Sequence, residues 1–365
     1  MAAADRAGAI LEVDLGAIVA NWQLLCGFHP SGPVAGVVKA DGYGLGARPV
    51  AQALHAAGCR HFFVALLDEA MEIRPLVPDA MVGVLGGLLP GTERDYIAFN
   101  VTPVLGSLAE IDAWTATARN SGRALPAILH IDTGMSRLGL DAGELAVLQQ
   151  DHARLDGLSL RYLMTHFVSS EIWDDPLNDL QPRRFAAACA GLPPAQRSMS
   201  NSSGMFLRSA PMDDLARPGA ALYGINPAPY EEENPMRQAV RLKARVVAVR
   251  EINKRHTVGY NATWRANSRK RIATVAIGYA DGLHRTLSNQ GRAFFDGKAV
   301  PLVGRVSMDL TTFDVTRARG VVPGSWLEII GPKQTPDDLA VAAGTNGYEV
   351  LTSLGRRFHR IYKST

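Results

Sequence analysis

Short apolar runs alternate with amphipathic helical stretches over the first two thirds of this chain, and no other feature limits its fold as strongly. Residues 34–38 (VAGVV), 61–66 (HFFVAL), 81–85 (MVGVL), 101–105 (VTPVL), 126–132 (PAILHID), 160–165 (LRYLMT), 197–200 (RSMS) and 219–223 (GAALY) read as eight buried strands. Between them lie helical patterns. One opens at Asp14 and puts Leu15, Ile18, Trp22 and Leu25 on one face; another opens at Ser107, with Glu110 three residues on as a capping box. Parallel strands need helical crossovers, so eight such units in about 220 residues predict an α/β fold, a (β/α)8 TIM-like barrel.

The texture changes near residue 230. The polar break EEENP covers 231–235, and residues 241–250 then alternate strictly, with Leu242, Ala244, Val246 and Ala248 on one face. Asp296-Gly297 is a hairpin signal, and helical patterns follow at 336–344 and 346–354. The expected division is a barrel over 11–230 and a smaller, mostly β domain over 231–365, joined by residues 1–10. A length of 365 residues accommodates both.

Composition narrows the class of function. Hydrophobic residues make up 47% and charged residues 20%, as in a soluble globular protein. A formal net charge of +3, with no run of five or six like charges, gives no reason to expect a nucleic-acid partner. No stretch reaches membrane-spanning length, and Asp5, Arg6, Glu12 and Asp14 interrupt any leader-type apolar segment. Cys26, Cys59 and Cys189 are widely spaced, which predicts neither disulfides nor a metal site and makes the cytoplasm the expected location.

Three segments could carry chemistry. In VVKADGYGLG (37–46), Lys39 follows the first predicted strand and precedes a glycine-rich loop, at the barrel end where active sites lie. A poorly solvated lysine there has a lowered pKa and is a usable nucleophile or base. The loops Ser200–Gly204 and Pro218–Ala220 follow the seventh strand and precede the eighth, and their hydroxyls and free amides suit a phosphate. A strand-one lysine with a phosphate cup points to a phosphorylated aldehyde, pyridoxal 5'-phosphate, bound through the amine. Tyr260, in HTVGYNATWRA, reads by itself as a structural tyrosine.

Taken together, the lysine motif, DTGMSRLG (132–139), THF (165–167), NSSGMF (201–206), RPGAALYG (217–224), VGYNATW (258–264), GYADG (278–282), GRVSMD (304–309) and the final YEVLTSLGRR resemble the bacterial alanine racemases, in order and over nearly the whole chain. The resemblance implies an isomerase that interconverts L- and D-alanine for peptidoglycan, with pyridoxal phosphate as cofactor and two bases on opposite faces of the substrate. Lys39 would bind the cofactor and serve the D-enantiomer. Tyr260, supplied by the partner of a homodimer with shared sites, would serve the L-enantiomer. Tyrosine ordinarily titrates near 10, and His166 and Arg217, hydrogen-bonded in series, would give it cationic help. Arg217 would also face the cofactor's ring nitrogen. Tyr43, Ser202 and the amides of Gly219 and Ala220 would hold the cofactor phosphate, Asn201 would be a further cofactor-binding residue, and Arg137 would reach both cofactor and substrate carboxylate. Met308 and Asp309 of the partner would meet that carboxylate, and Tyr279 would line the entrance.

Two positions depart from the family pattern. His130 stands where many members carry a carbamylated lysine, which predicts a small anion or water beside Arg137. Arg356 stands in place of a tyrosine near the phosphate. Rival readings are a racemase of broader preference, such as for serine, and a non-catalytic pyridoxal-phosphate-binding protein; the VGYNATW-bearing second domain argues against the latter.

Overall fold

The computed structural model describes residues 3–208 and 213–364. Strand β1 (Ala9–Asp14) leads directly into the helix Leu15–Phe28, whose first turn is capped by the Asp14 carboxylate accepting the Ala17 N–H at 2.9 Å. Ile18 and Leu25 are fully buried from this helix, and Leu15 and Trp22 pack partly buried beside them, so the apolar face is the one the spacing predicts.

Seven parallel strands follow in sequential order: β2 (Gly36–Val37), β3 (His61–Val64), β4 (Met81–Val84), β5 (Thr102–Leu105), β6 (Leu125–His130), β7 (Leu158–Met164) and β8 (Gln196–Ser198). Their helices include Leu108–Ser121, whose Ser107 cap accepts the Glu110 N–H. The Glu110 carboxylate does not close the box on Ser107; it takes the N–H groups of Gly106 and Leu88, tying this helix to the end of β5 and to the loop after β4.

The eighth strand is not where the apolar run placed it. Residues 219–223 contain a 3-10 turn, Ala220–Tyr223, closed by left-handed Gly224. The barrel closes instead through 214–216. The Asp214 N–H donates to Arg197 O in β8, while Ala216 exchanges hydrogen bonds with Pro33 and Ala35 beside β2. A short apolar run cannot be told from a buried helical turn by periodicity. The pairing partners decide, and those of 214–216 lie about 180 residues upstream as well as beside it in β8.

The second sheet is built on a long strand, β9 (Val240–Ile252). Its first half pairs antiparallel with β1 and with Trp326–Ile330, and its second half with Lys270–Val275. The C-terminal strand His359–Lys363 lies parallel to β1. The whole of β1, to Asp14, therefore belongs to this sheet, slightly beyond the residues 1–10 expected. Asp296 and Gly297, both at positive φ, turn the hairpin between Arg292–Phe295 and Lys298–Pro301.

Candidate active site

Parallel order places β6, β7, β8, the closing segment and β2 side by side, so the residues just after them share one mouth. Lys39 follows β2. Its successors Ala40, Asp41, Gly42 and Tyr43 all have φ between 53° and 61°, a left-handed turn. Three of these are not glycine, and left-handed backbone costs such residues about 1–2 kcal/mol each. The turn is held by Gly42 N–H to Val38 O, Gly44 N–H to Ala40 O, Gly46 N–H to Asp41 O, and the Asp41 carboxylate accepting the Ala47 N–H. Arg360 and Tyr362 of the C-terminal strand donate to Gly44 O and Leu45 O from the other side.

Burial lowers the pKa of the Lys39 amine, Arg137 and Arg217 lower it further, and Glu69 opposes them. Arg217 is almost fully buried. Its guanidinium donates to Thr165 O at 2.7 Å, after β7, and to Ser198 Oγ at the end of β8. Its N–H donates to Ser200 O, and burial pulls its pKa to about 10, so it stays charged at neutral pH. His166 adjoins Thr165. Burial first, then Arg217, Lys39 and Arg137, push its ring down to about 3. It is neutral at pH 7 and can accept a hydrogen bond on one nitrogen. The loop carrying it is fixed by fully buried Gln181, which donates to His166 O and Thr133 Oγ1 and accepts the Val168 N–H.

A small polar cup lies beside Tyr43. Ser202 Oγ accepts the N–H groups of Gly219 and Ala221 at 3.0 and 3.2 Å. A Cβ on Gly219 would lie 2.1 Å from the Tyr43 hydroxyl, so backbone and phenol meet here with no room for a side chain. Tyr43 stacks on Tyr223, whose hydroxyl donates to Val37 O. A serine hydroxyl, a phenol and backbone amides form a donor set suited to a phosphate. The second amide that Ser202 Oγ accepts is that of Ala221, next in the chain to Ala220. Asn201 is engaged locally, its Oδ1 accepting the Gly204 N–H and the Ser170 hydroxyl.

His130 is buried at the end of β6, and burial, Arg217 and Arg137 lower its pKa to about 4, against an opposing effect of Asp132. The Asp132 carboxylate accepts the N–H groups of Gly134, Met135 and Ser136, which shapes the loop leading to Arg137. Arg137 itself is exposed. Arg356 is exposed too.

The remaining predicted residues form a second cluster on the strand domain. The Tyr279 N–H donates to Ser307 O and the Ala280 N–H to Met308 O, so the Tyr279 and Met308 loops are one unit. Arg357 donates to Asp281 and Asp309, each at 2.7 Å, and clamps that unit. The Tyr260 turn abuts Gly304 and Arg305 through Gly259, and Asn289 bridges Thr263 and Gly304. Tyr260 is 69% exposed, and Tyr279 and Met308 are also exposed. Sequence reading missed Glu69, Thr165, Gln181, Ser198 and Arg357. Each acts through a contact distant in sequence; Thr165 and Arg357 lie within the THF and YEVLTSLGRR motifs, while no local pattern sets Glu69, Gln181 or Ser198 apart from a cap or a surface polar residue.

Known proteins match both halves. The profile "Alanine racemase, N-terminal domain" matches residues 13–227 and "Alanine racemase, C-terminal domain" residues 239–362. The chain belongs to the alanine racemase family. The alanine racemase of Acidiphilium cryptum is 53% identical over 354 residues, 97% of this chain and 98% of that one. Among solved alanine racemase structures, that from Bartonella henselae, with covalently bound pyridoxal phosphate, aligns with a TM-score of 0.95 at 37% identity, over 98% of this chain and all of that one. The biosynthetic enzyme of Pseudomonas aeruginosa aligns with 0.90 at 34% identity, over 98% and 99%. No helix among the described residues is long and apolar enough to cross a membrane.

Proposed function

We propose that this chain is a pyridoxal-phosphate-dependent alanine racemase that interconverts L- and D-alanine and so supplies D-alanine for peptidoglycan. The observation that carries this reading is the barrel mouth itself: a largely buried lysine on a strained turn, flanked by Arg217 and by a cup of Ser202, Gly219 and Tyr43. Family membership at 53% identity over nearly the full chain supports it. Three free cysteines fit a reducing cytoplasm.

Tyr43, Ser202 and the Gly219 amide would hold the cofactor phosphate, and Lys39 would bond its aldehyde carbon. The bound cofactor supplies an electron-withdrawing system that acidifies the substrate α-hydrogen. Arg217, fixed by Thr165 and Ser198, keeps a permanent positive charge and a donor in the pocket. It cannot pass a proton to a ring nitrogen it faces, which moderates the electron sink and restrains side reactions such as transamination. Arg137 binds the substrate carboxylate at the exposed edge. Lys39 exchanges a proton at one face of the α-carbon and Tyr260 at the other.

Tyr260, Met308 and Tyr279 stand exposed on the strand domain as one rigid cluster, which suits residues delivered to the barrel mouth of a second copy. The active unit is thus a homodimer in which each site takes Lys39 from one chain and Tyr260 from its partner. Lys39→Ala and Tyr260→Phe chains, each inactive alone, are mixed under conditions that exchange subunits, and alanine racemisation is measured. Half of the sites in a mixed dimer regain both bases. No recovery despite demonstrated exchange contradicts the shared site, and a Lys39→Ala chain that still binds cofactor covalently contradicts the role of Lys39.

A further inference from the structure

The turn that carries Lys39 is held from outside by one carboxylate. Glu69 lies in the helix Leu67–Ile73 that follows β3. One of its oxygens accepts the N–H groups of Ala65 and Leu66 at 2.8 and 3.1 Å. Those bonds alone would make it an ordinary helix N-terminal cap. Its other oxygen accepts the Ala40 N–H at 2.6 Å, 29 residues away. Ala40 directly follows Lys39 and is the first residue in the left-handed conformation, so the bond fixes the backbone where the strain begins. An ionised carboxylate only accepts, and here both oxygens face amide donors. The same carboxylate joins the mouth ends of β2 and β3, next to Val38 N–H donating to Phe63 O.

Its charge also matters at this place. Lys39 is faced by the cations Arg137 and Arg217 and by the buried, neutral ring of His166. Glu69 is the negative charge set against those cations. A lysine that bonds an aldehyde must be neutral to attack the carbonyl carbon, with loss of water. To return a proton to a substrate carbon it must be protonated. A counter-charge keeps both forms accessible in a pocket that otherwise favours the neutral amine.

We propose that Glu69 is a positioning residue for Lys39: it pins the strained turn that aims the amine and sets a negative charge against Arg137 and Arg217. The proposal rests on Lys39 being the cofactor-binding amine, but its test reads that amine directly. The full chain, freed of cofactor and shown folded by circular dichroism, is labelled with trace acetic anhydride across a range of pH. Acetylation of Lys39 is followed by peptide mass spectrometry. In Glu69→Gln the charge is gone and a single oxygen is left for two sets of donors, the Ala40 N–H on one side and the Ala65 and Leu66 N–H groups on the other; the labelling midpoint of Lys39 falls by about one pH unit, the size of a neighbouring-charge effect. In Glu69→Ala every acceptor of the pin is lost, and covalent capture of pyridoxal phosphate slows about tenfold or more relative to the unaltered chain. A midpoint in Glu69→Gln that stays put or rises overturns the charge role. Capture by Glu69→Ala as fast as by the unaltered chain overturns the pinning role. Failure of Lys39 itself as the cofactor amine would show separately, as covalent capture by Lys39→Ala.

Discussion

Replacing Gly219 with alanine tests the proposed phosphate cup at its tightest point. The added Cβ would lie 2.1 Å from the Tyr43 hydroxyl, 2.8 Å from the ring carbon bearing it and 3.2 Å from a neighbouring ring carbon. The phenol cannot swing freely out of the way, because its other face stacks on Tyr223 at 4.8 Å between centroids. Tyr223 is fully buried and anchored to Val37 O. The Tyr43 backbone sits in the left-handed turn, which limits its rotamers. Overpacking of this kind costs about 1–3 kcal/mol. Part of that cost appears as lost stability of the cofactor-free chain. The rest appears when the cofactor requires Tyr43 back in place, and if all of it falls there, affinity drops roughly 5- to 150-fold. Urea unfolding of the cofactor-free chain and titration with pyridoxal phosphate measure the two shares. Tyr43→Phe removes the 2.1 Å contact and leaves the 2.8 Å one, so the double variant should lose less than the sum of the singles. If Gly219→Ala changes neither stability nor affinity by more than about 0.5 kcal/mol, the crowding argument fails.

Two further predictions concern proton chemistry. Tyr260→Phe should slow removal of the α-proton from L-alanine, measured as deuterium incorporation, while removal from D-alanine persists; equal loss of both half-reactions would contradict opposite-face bases. His130 and His166 are held neutral in the fold, with pKa values of about 4 and 3 against about 6.5 in an unfolded chain. Their folded pKa values are depressed, so the unfolded chain binds the extra protons as pH drops below about 6.5. Stability should therefore be full above that pH and decline towards pH 4, by up to about 1.4 kcal/mol per pH unit for each ring. His130→Asn should flatten the urea-measured decline by one ring's share, and an unchanged slope would show that His130 is not held neutral.

Much of this architecture is legible in the chain because it depends on neighbours a few residues apart. Apolar runs spaced by helical patterns give the barrel, Asp14 and Ser107 announce helix starts, Asp296-Gly297 makes its hairpin, and strict alternation marks β9. The site was legible in part for a related reason. Lys39 follows directly on a strand, and a parallel barrel puts every such position at one end.

Long-range pairing decided the rest. The run 219–223 is as apolar as a strand, but the gap between β8 and β2 is filled by 214–216, whose partners Pro33 and Ala35 lie far upstream. Glu69 reads as an acid in the first turn of a helix; only the folded chain brings one of its oxygens to Ala40. Arg217 could have faced any acceptor, and the ends of β7 and β8 give it Thr165 and Ser198. Tyr260, Tyr279 and Met308 are separated by tens of residues and become one surface because Gly259 packs on Arg305 and Arg357 ties Asp281 to Asp309. Periodicity records which side of an element is apolar, and local chemistry records where it starts. Which acceptor a buried donor finds, and which loops share a face, depend on where distant segments come to rest, and that is decided by packing of the whole chain.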